Sequence, residues 1–350
     1  MTAHLAPPSG RLLRVGRLSI VLHPRVALTT AIVALAALAA GVVALTVGTA
    51  SLTIGEAIGA LAGSGEPMHV KVVQGIRLPR VVTALLAGVA LGASGAVFQS
   101  VSRNALGSPE IIGFTTGAAT GAIVQIVVFQ AGSVQVAIGA FVGGIVTALV
   151  VYLLAVRGGV TGGYRLILVG IGAGAVLQAV NGLLLVMGDL DQAVQANLWL
   201  SGSLDARGWE HAIPVGVACV VVLPVIALLG RRATLAEMGD DLAAQLGVRV
   251  ERVRVVLIFC GVLLAAAATA ACGPIAFVAL AAPQLVQRLS RGSGVPIVGA
   301  AAMGACLLVV SDLAAQILPI DAVVPIGRVT GIIGGLYLIW LLTRKGTVRV

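Results

Sequence analysis

Apolar runs of about twenty residues, separated by short polar or basic stretches, recur along the whole chain. About twenty apolar residues in a helix span the hydrocarbon core of a bilayer. The pattern predicts ten such helices, near 26–48, 78–100, 111–130, 133–156, 166–187, 209–229, 254–272, 275–290, 295–317 and 325–343. The stretch from Arg77 to Thr116 is the most informative: two arginines flank Leu-Pro, then apolar and small residues follow. It closes on a Gly/Pro-broken turn carrying Arg103, Asn104, Ser108 and Glu110. Irregular polar backbone at membrane depth is tolerated only where it is buried in protein or lines a wet cavity. The segment therefore reads as part of a path through the bilayer.

Polar stretches between the runs add detail. Residues 49–76 contain SLTIGEAIGAL, a short surface helix with Ser51 or Thr53 at its start. Residues 188–208, carrying Asp189, Asp191 and Asp205, are polar enough to fold on the surface as well. Residues 230–254 read as two short amphipathic helices broken at Gly239 and Gly247. Their apolar positions, Leu235, Met238, Leu242, Leu246 and Val248, predict docking on a partner. Residues 85–98 align with 263–277, and the halves 78–187 and 254–343 each hold four predicted spans, the arrangement of inverted-topology repeats.

Composition sharpens the class. Hydrophobic residues make up 59% of the chain and charged ones 10%, against roughly 45–50% and about 25% in soluble domains. With a mean hydropathy of +1.10, the fold class is an all-α polytopic membrane protein. It reads as one domain, with a basic tail at 1–25, a membrane domain at 26–343 and the loop at 230–254 inside it. Glycines recur at four-residue spacing (Gly88/Gly92, Gly117/Gly121, Gly139/Gly143, Gly170/Gly174, Gly331/Gly335), which lets helix backbones approach closely in lipid.

The net charge of +9 does not point to nucleic acid, because the basic residues sit in short runs between apolar spans. With both termini inside, inner segments hold seventeen of the Lys and Arg residues and outer ones only five: Lys71, Arg77, Arg80, Arg207 and Arg328. That asymmetry predicts an N-in, C-in orientation. The apolar run from Ala27 to Val47 is too long for the core of a signal peptide and reads as a retained first helix. Cys219, Cys260, Cys272 and Cys306 stand alone in apolar stretches, and the four histidines form no metal-ligand pattern.

Several chemistries are missing from the sequence. No Gly-rich phosphate loop ends in Lys, since the only lysines are Lys71 and Lys345. No HExxH, no GxSxG and no paired carboxylates at helical spacing occur within a span, so an enzyme is not expected. Secondary transporters place ionisable groups near the midplane. Here the spans carry almost none, and Asp312 is expected near an outer helix end, where exposure is cheap. The polar residues Gln99, Asn104, Gln178 and Asn181 are the candidates for a translocation path.

The motifs RLPR (77–80), SGAVFQ (94–99), RNALGSPEIIGF (103–114), RLILVGIG (165–172), GPIAFVALAAPQLVQR (273–288) and LPIDAVVPIGRVTGIIGGLYLIWLL (318–342) stand in order. In sequence and spacing they resemble the FecCD-type permeases, the membrane subunits of ABC importers for iron-siderophores, haem and vitamin B12. The form SPEIIGF resembles the ferric-enterobactin-type branch. The resemblance implies a permease subunit that pairs with a second one, a paralogue or another copy. It further implies two cytoplasmic ATPase subunits that carry ATP and Mg, an outer substrate-binding protein, and a ferric siderophore as cargo. Cobalamin or haem is the alternative cargo. By the same resemblance, 233–248 is the coupling segment, with Leu235, Met238, Gly239, Leu242, Leu246 and Gly247 as its key residues. Thr161, Gly162, Gly163 and Tyr164 form an inner gate, while Arg77, Arg80 and, as a departure, Arg328 receive the binding protein. The place is the bacterial cytoplasmic membrane. Three further positions depart from the family pattern: Asn104-Ala105-Leu106 for Asn-Pro-Leu, Pro283-Gln284 for Pro-His, and Gln316 for arginine.

Overall fold

The computed structural model describes residues 11–15, 18–48, 52–157, 160–161, 163–291, 295–318 and 324–343. Fourteen α-helices follow one another: α1 Pro24–Thr46, α2 Ile54–Leu61, α3 Pro67–Val72, α4 Leu78–Ser102, α5 Phe114–Val127, α6 Ser133–Ala155, α7 Gly163–Met187, α8 Leu190–Leu200, α9 Trp209–Glu237, α10 Asp240–Gln245, α11 Val250–Cys272, α12 Val278–Ser290, α13 Ile297–Ile317 and α14 Ile326–Thr343. Two small antiparallel ribbons, 11–15 with 18–22 and 156–157 with 160–161, complete the described elements. Each of the ten segments predicted to cross the membrane contains a helix. Among the described residues, seven helical stretches are long and apolar enough to span a bilayer by themselves.

Local chemistry sets many of the boundaries. Thr53 caps α2 in a reciprocal box with Glu56: the Glu56 amide donates to the Thr53 hydroxyl, and the Thr53 amide donates to the Glu56 carboxylate. Asp189 and Gln192 do the same at α8. The third and eighth predicted spans turn out shorter than expected, at 14 and 13 residues. At 1.5 Å per residue, each falls well short of the roughly 30 Å core. The cause lies just before each helix. Gly113 (φ 73°) follows a 3₁₀ turn at Pro109–Ile112, and Gly273 (φ 74°) with Phe277 (φ 67°) breaks the chain ahead of α12. Both short helices thus follow an irregular stretch that leaves a deeply buried long helix, α4 in one case and α11 in the other.

The interior is built on those two helices. In α4 every residue from Ala90 to Ser100 is buried, and in α11 every residue from Leu264 to Cys272 is. Small side chains let the backbones close in. A Cβ at Gly88 or Gly92 would strike the α13 backbone at Gly304 and Ala300, and one at Gly95 would strike Ala279 of α12. Gly117 and Gly121 interlock with Gly139 and Gly143 in the same way. At Gly331 and Gly335, by contrast, a Cβ would meet nothing within 4 Å among the described residues of this chain. A second correction concerns the loop at 230–254. Its first expected short helix is the unbroken end of α9, which runs on to Glu237, eight residues past the predicted end. No helix-ending residue stands between Gly230 and Glu237, so the helix continues.

Candidate functional site

The two ends of α4 carry the charges that organise the molecule. At its N-terminal end, Arg80 donates from Nε and one terminal nitrogen to Asp312 of α13, at 3.1 and 2.9 Å. The other terminal nitrogen reaches Asp205 at 3.3 Å. Gln316, one turn along α13, donates to the same Asp312 carboxylate at 2.8 Å. Asp312 is therefore not the exposed helix-end carboxylate the sequence suggested: its side chain is 2% exposed. A buried carboxylate persists where charged and polar donors replace its water, and Arg80 and Gln316 supply them. Arg77 is also buried, donating to the Leu45 carbonyl at 2.8 Å. Of the three arginines expected to meet a partner, Arg328 alone is exposed, with its guanidinium 3.3–3.4 Å from the Ser201 hydroxyl. It stands where three segments are stitched by backbone, Ser203 donating to Cys272 at 2.8 Å and Gly327 to Gly202 at 3.3 Å.

The candidate path residues have separate surroundings. Gln99 is buried and donates to the Leu280 carbonyl of α12 at 3.0 Å, leaving its own carbonyl oxygen without a partner. Asn181 is buried on α7, its amide 3.5 Å from the Thr116 carbonyl, with its oxygen also unsatisfied. Gln178 is exposed on the same helix. Asn104 sits in the turn after α4 and is exposed, accepting from the Leu106 amide at 2.9 Å. Its visible role is to brace that turn. His211, unremarkable in sequence, is buried between Arg207 and Glu210, at 3.1 Å from each.

The C-terminal end of α4 holds what sequence reasoning missed. Arg103, left-handed at φ 49°, ends the helix and pairs with Asp240, the first residue of α10. Arg254 of α11 donates to both Asp240 oxygens at 3.0 and 2.9 Å, and to Glu251 at 2.9 Å. One turn back, the Ser100 hydroxyl donates to Glu237. On the other side of the turn, buried Gln284 donates to the Ala105 carbonyl at 2.7 Å. The departures at Ala105 and Gln284 are thus in contact. The sequence of 230–254 mixes acidic Glu237, Asp240, Asp241 and Glu251 with its arginines, which by itself does not say which of them pair with Arg103.

The expected coupling residues sit beside it. Gly239 (φ 128°) and Gly247 (φ 80°) bracket α10 in conformations that favour glycine. Met238, Leu242 and Leu246 are exposed, Leu235 is half-buried, and Ala243 between them is buried. Of the expected inner gate, Gly162 and the side chains of Thr161 and Tyr164 lie outside the described residues. The backbone of Thr161 pairs with Val156, and Gly163 opens α7.

Known proteins give the chain a place. The Escherichia coli (strain K12) ferric enterobactin transport system permease protein FepG is 46% identical over 83% of this chain and 88% of its own length. The Yersinia pestis hemin transport system permease protein HmuU is 34% identical over 78% of this chain and 84% of its own. A solved structure, described as an inward-facing conformation of a metal-chelate type ABC transporter, superposes with a TM-score of 0.79 at 27% identity. It covers 91% of this chain and all of that one. The model of the FecCD transport family matches residues 34–344, and the chain belongs to that family.

Proposed function

We propose that this chain is one permease half of an ATP-driven importer in a bacterial cytoplasmic membrane, and that its cargo is a ferric siderophore handed over by an outer binding protein. The charge asymmetry puts the Asp240 end on the inner side and Arg80 and Arg328 outside, with both termini in and ten helices across. ATP and Mg belong to a separate pair of ATPase subunits.

One observation carries the coupling half of this reading. Met238, Leu242 and Leu246 are 63%, 42% and 58% exposed on a segment that lies beyond the apolar spans. Apolar side chains grouped on the watery side of a membrane protein suit an anchor set for helix-in-groove docking. Outside, Arg328 is an exposed cation for the binding protein, with Arg80 behind it. For the second permease half, α7 and α14 offer the faces. Gly172, Gly182, Gly331 and Gly335 meet nothing within 4 Å, and Ile171, Leu183, Ile332 and Leu336 are exposed. A paralogous chain is the favoured partner over a second copy.

The test is reconstitution with the partner permease and ATPase. Leu242→Glu is expected to abolish both ATPase co-purification and iron-chelate uptake while the chain still inserts. Retention of both would reduce the segment to a connector. Uptake that persists without ATP, driven by a proton gradient, would replace the importer by an ion-coupled transporter. The likeness to HmuU keeps haem as the second cargo, and competition between ferric catecholate and haem for uptake separates the two.

A further inference from the structure

The Asp240 cluster joins three elements far apart in sequence: the end of α4, the start of α10 and the start of α11. We infer that Asp240 is the positioning residue that transmits movement of the 233–248 segment to the turn at the end of α4. The inference rests on the reading of 233–248 as the ATPase-coupling segment.

The geometry gives Asp240 a place no neighbour shares. It follows Gly239, whose φ of 128° turns the chain so that α10 starts afresh. Its carboxylate then lies between two guanidiniums, Arg103 on the α4 turn and Arg254 on α11. Glu251 balances Arg254 from the α11 side, and Glu237 meets Ser100 from the end of α9. The turn at 103–106 is held from the far side too, where Gln284 of α12 donates to Ala105. A shift of α10 therefore pulls Arg103 directly, and with it the turn and α12.

Strength and exposure suit a contact that is remade in each cycle. Charge-assisted hydrogen bonds fix direction, yet the Asp240 side chain is 47% exposed and that of Arg103 38%, so water can replace that pairing at little cost, while Arg254, 15% exposed, keeps Glu251. Behind the ion pairs, Val101, Ala233, Val253 and Leu257 line a small crevice, the last three within the main core and Val101 packed against it. That apolar packing keeps α4, α9 and α11 together without the ions. What the ions add is linkage.

The experiment uses the complete reconstituted importer, with ATP hydrolysis, iron-chelate uptake and ATPase co-purification measured together. Asp240→Asn is expected to keep the ATPase bound and hydrolysing, while uptake per ATP falls by at least about tenfold, the size of an ordinary coupling term. Arg103→Gln should do the same, and the double variant should be no worse than the poorer single one, since both remove one linkage. Asp240→Glu should recover most of the uptake per ATP. The inference is overturned if Asp240→Asn keeps normal uptake per ATP, if the two losses multiply, or if Asp240→Asn releases the ATPase. Release would make Asp240 a docking contact instead. Leu242→Glu separates the two readings: it tests docking by co-purification, a readout that the Asp240 variants leave unchanged. Should Asp240→Asn fail to insert, Arg103→Gln alone decides by the same ratio.

Discussion

Asp312 and Asp240 lie at opposite ends of α4, each a carboxylate held by arginines, yet they do different work because they are buried to different depths. Asp312 is sealed at 2% exposure, with Arg80 and Gln316 taking the place of water. Asp240 stays 47% exposed between Arg103 and Arg254. Two charges out of water depend on each other strongly, because either one left alone is a buried, uncompensated ion. Two charges in water lose little when parted. The Arg80–Asp312 pair is thus a structural bolt joining α4 to α13, and the Asp240 set a more weakly held contact.

The largest effect should come from breaking the bolt. Arg80→Ala strands Asp312 and is expected to destabilise the chain by about 3–5 kcal/mol, seen as loss of folded protein after graded heating in detergent. Replacing both charges, as Arg80→Met with Asp312→Leu, should recover most of that loss, because apolar groups of similar size need no water. If the double variant is as unstable as the single one, the pair's hydrogen bonds matter more than its charge. Asp240→Asn should change stability by less than about 1 kcal/mol in the same assay. A larger loss would make the two ends alike and erase the distinction.

The smallest effect concerns pH. Partial burial of Asp240 works to raise its pKa, but hydrogen bonds and charge from Arg254 and Arg103 outweigh it and hold the carboxyl below the usual range. A group with a lowered folded pKa contributes above its unfolded value and loses that contribution as pH falls through the folded one. The linkage should therefore hold from about pH 8 down to about pH 5, with uptake per ATP flat over that window as far as Asp240 is concerned. A drop near neutral pH that Asp240→Asn abolishes would contradict this.

Much of the molecule was written in local pattern. The caps at Thr53, one of the two starts expected, and at Asp189 each depend on a residue three positions away. Gly239 and Gly247 bracket a helix because other residues resist their backbone angles. The membrane class, and ten helical segments in order, followed from apolar runs alone. The glycines were a mixed case: Gly88 and Gly92 do meet another backbone, whereas Gly331 and Gly335 do not, and spacing cannot distinguish the two.

The sequence by itself determined the class, the segments and the local caps, because each depends on residues within a turn or two of one another. Only the tertiary structure decided which charges are paired. Arg80 and Asp312 are 232 positions apart, Gln284 and Ala105 are 179, and Arg103 and Asp240 are 137. By resemblance Arg77 and Arg80 were expected to face a partner, and nothing nearby in the chain signals that Arg77 donates to Leu45 or Arg80 to Asp312. A charge is solvated by whatever the fold brings within about 3 Å, and that neighbour is set by the packing of helices, which the local pattern of residues does not record.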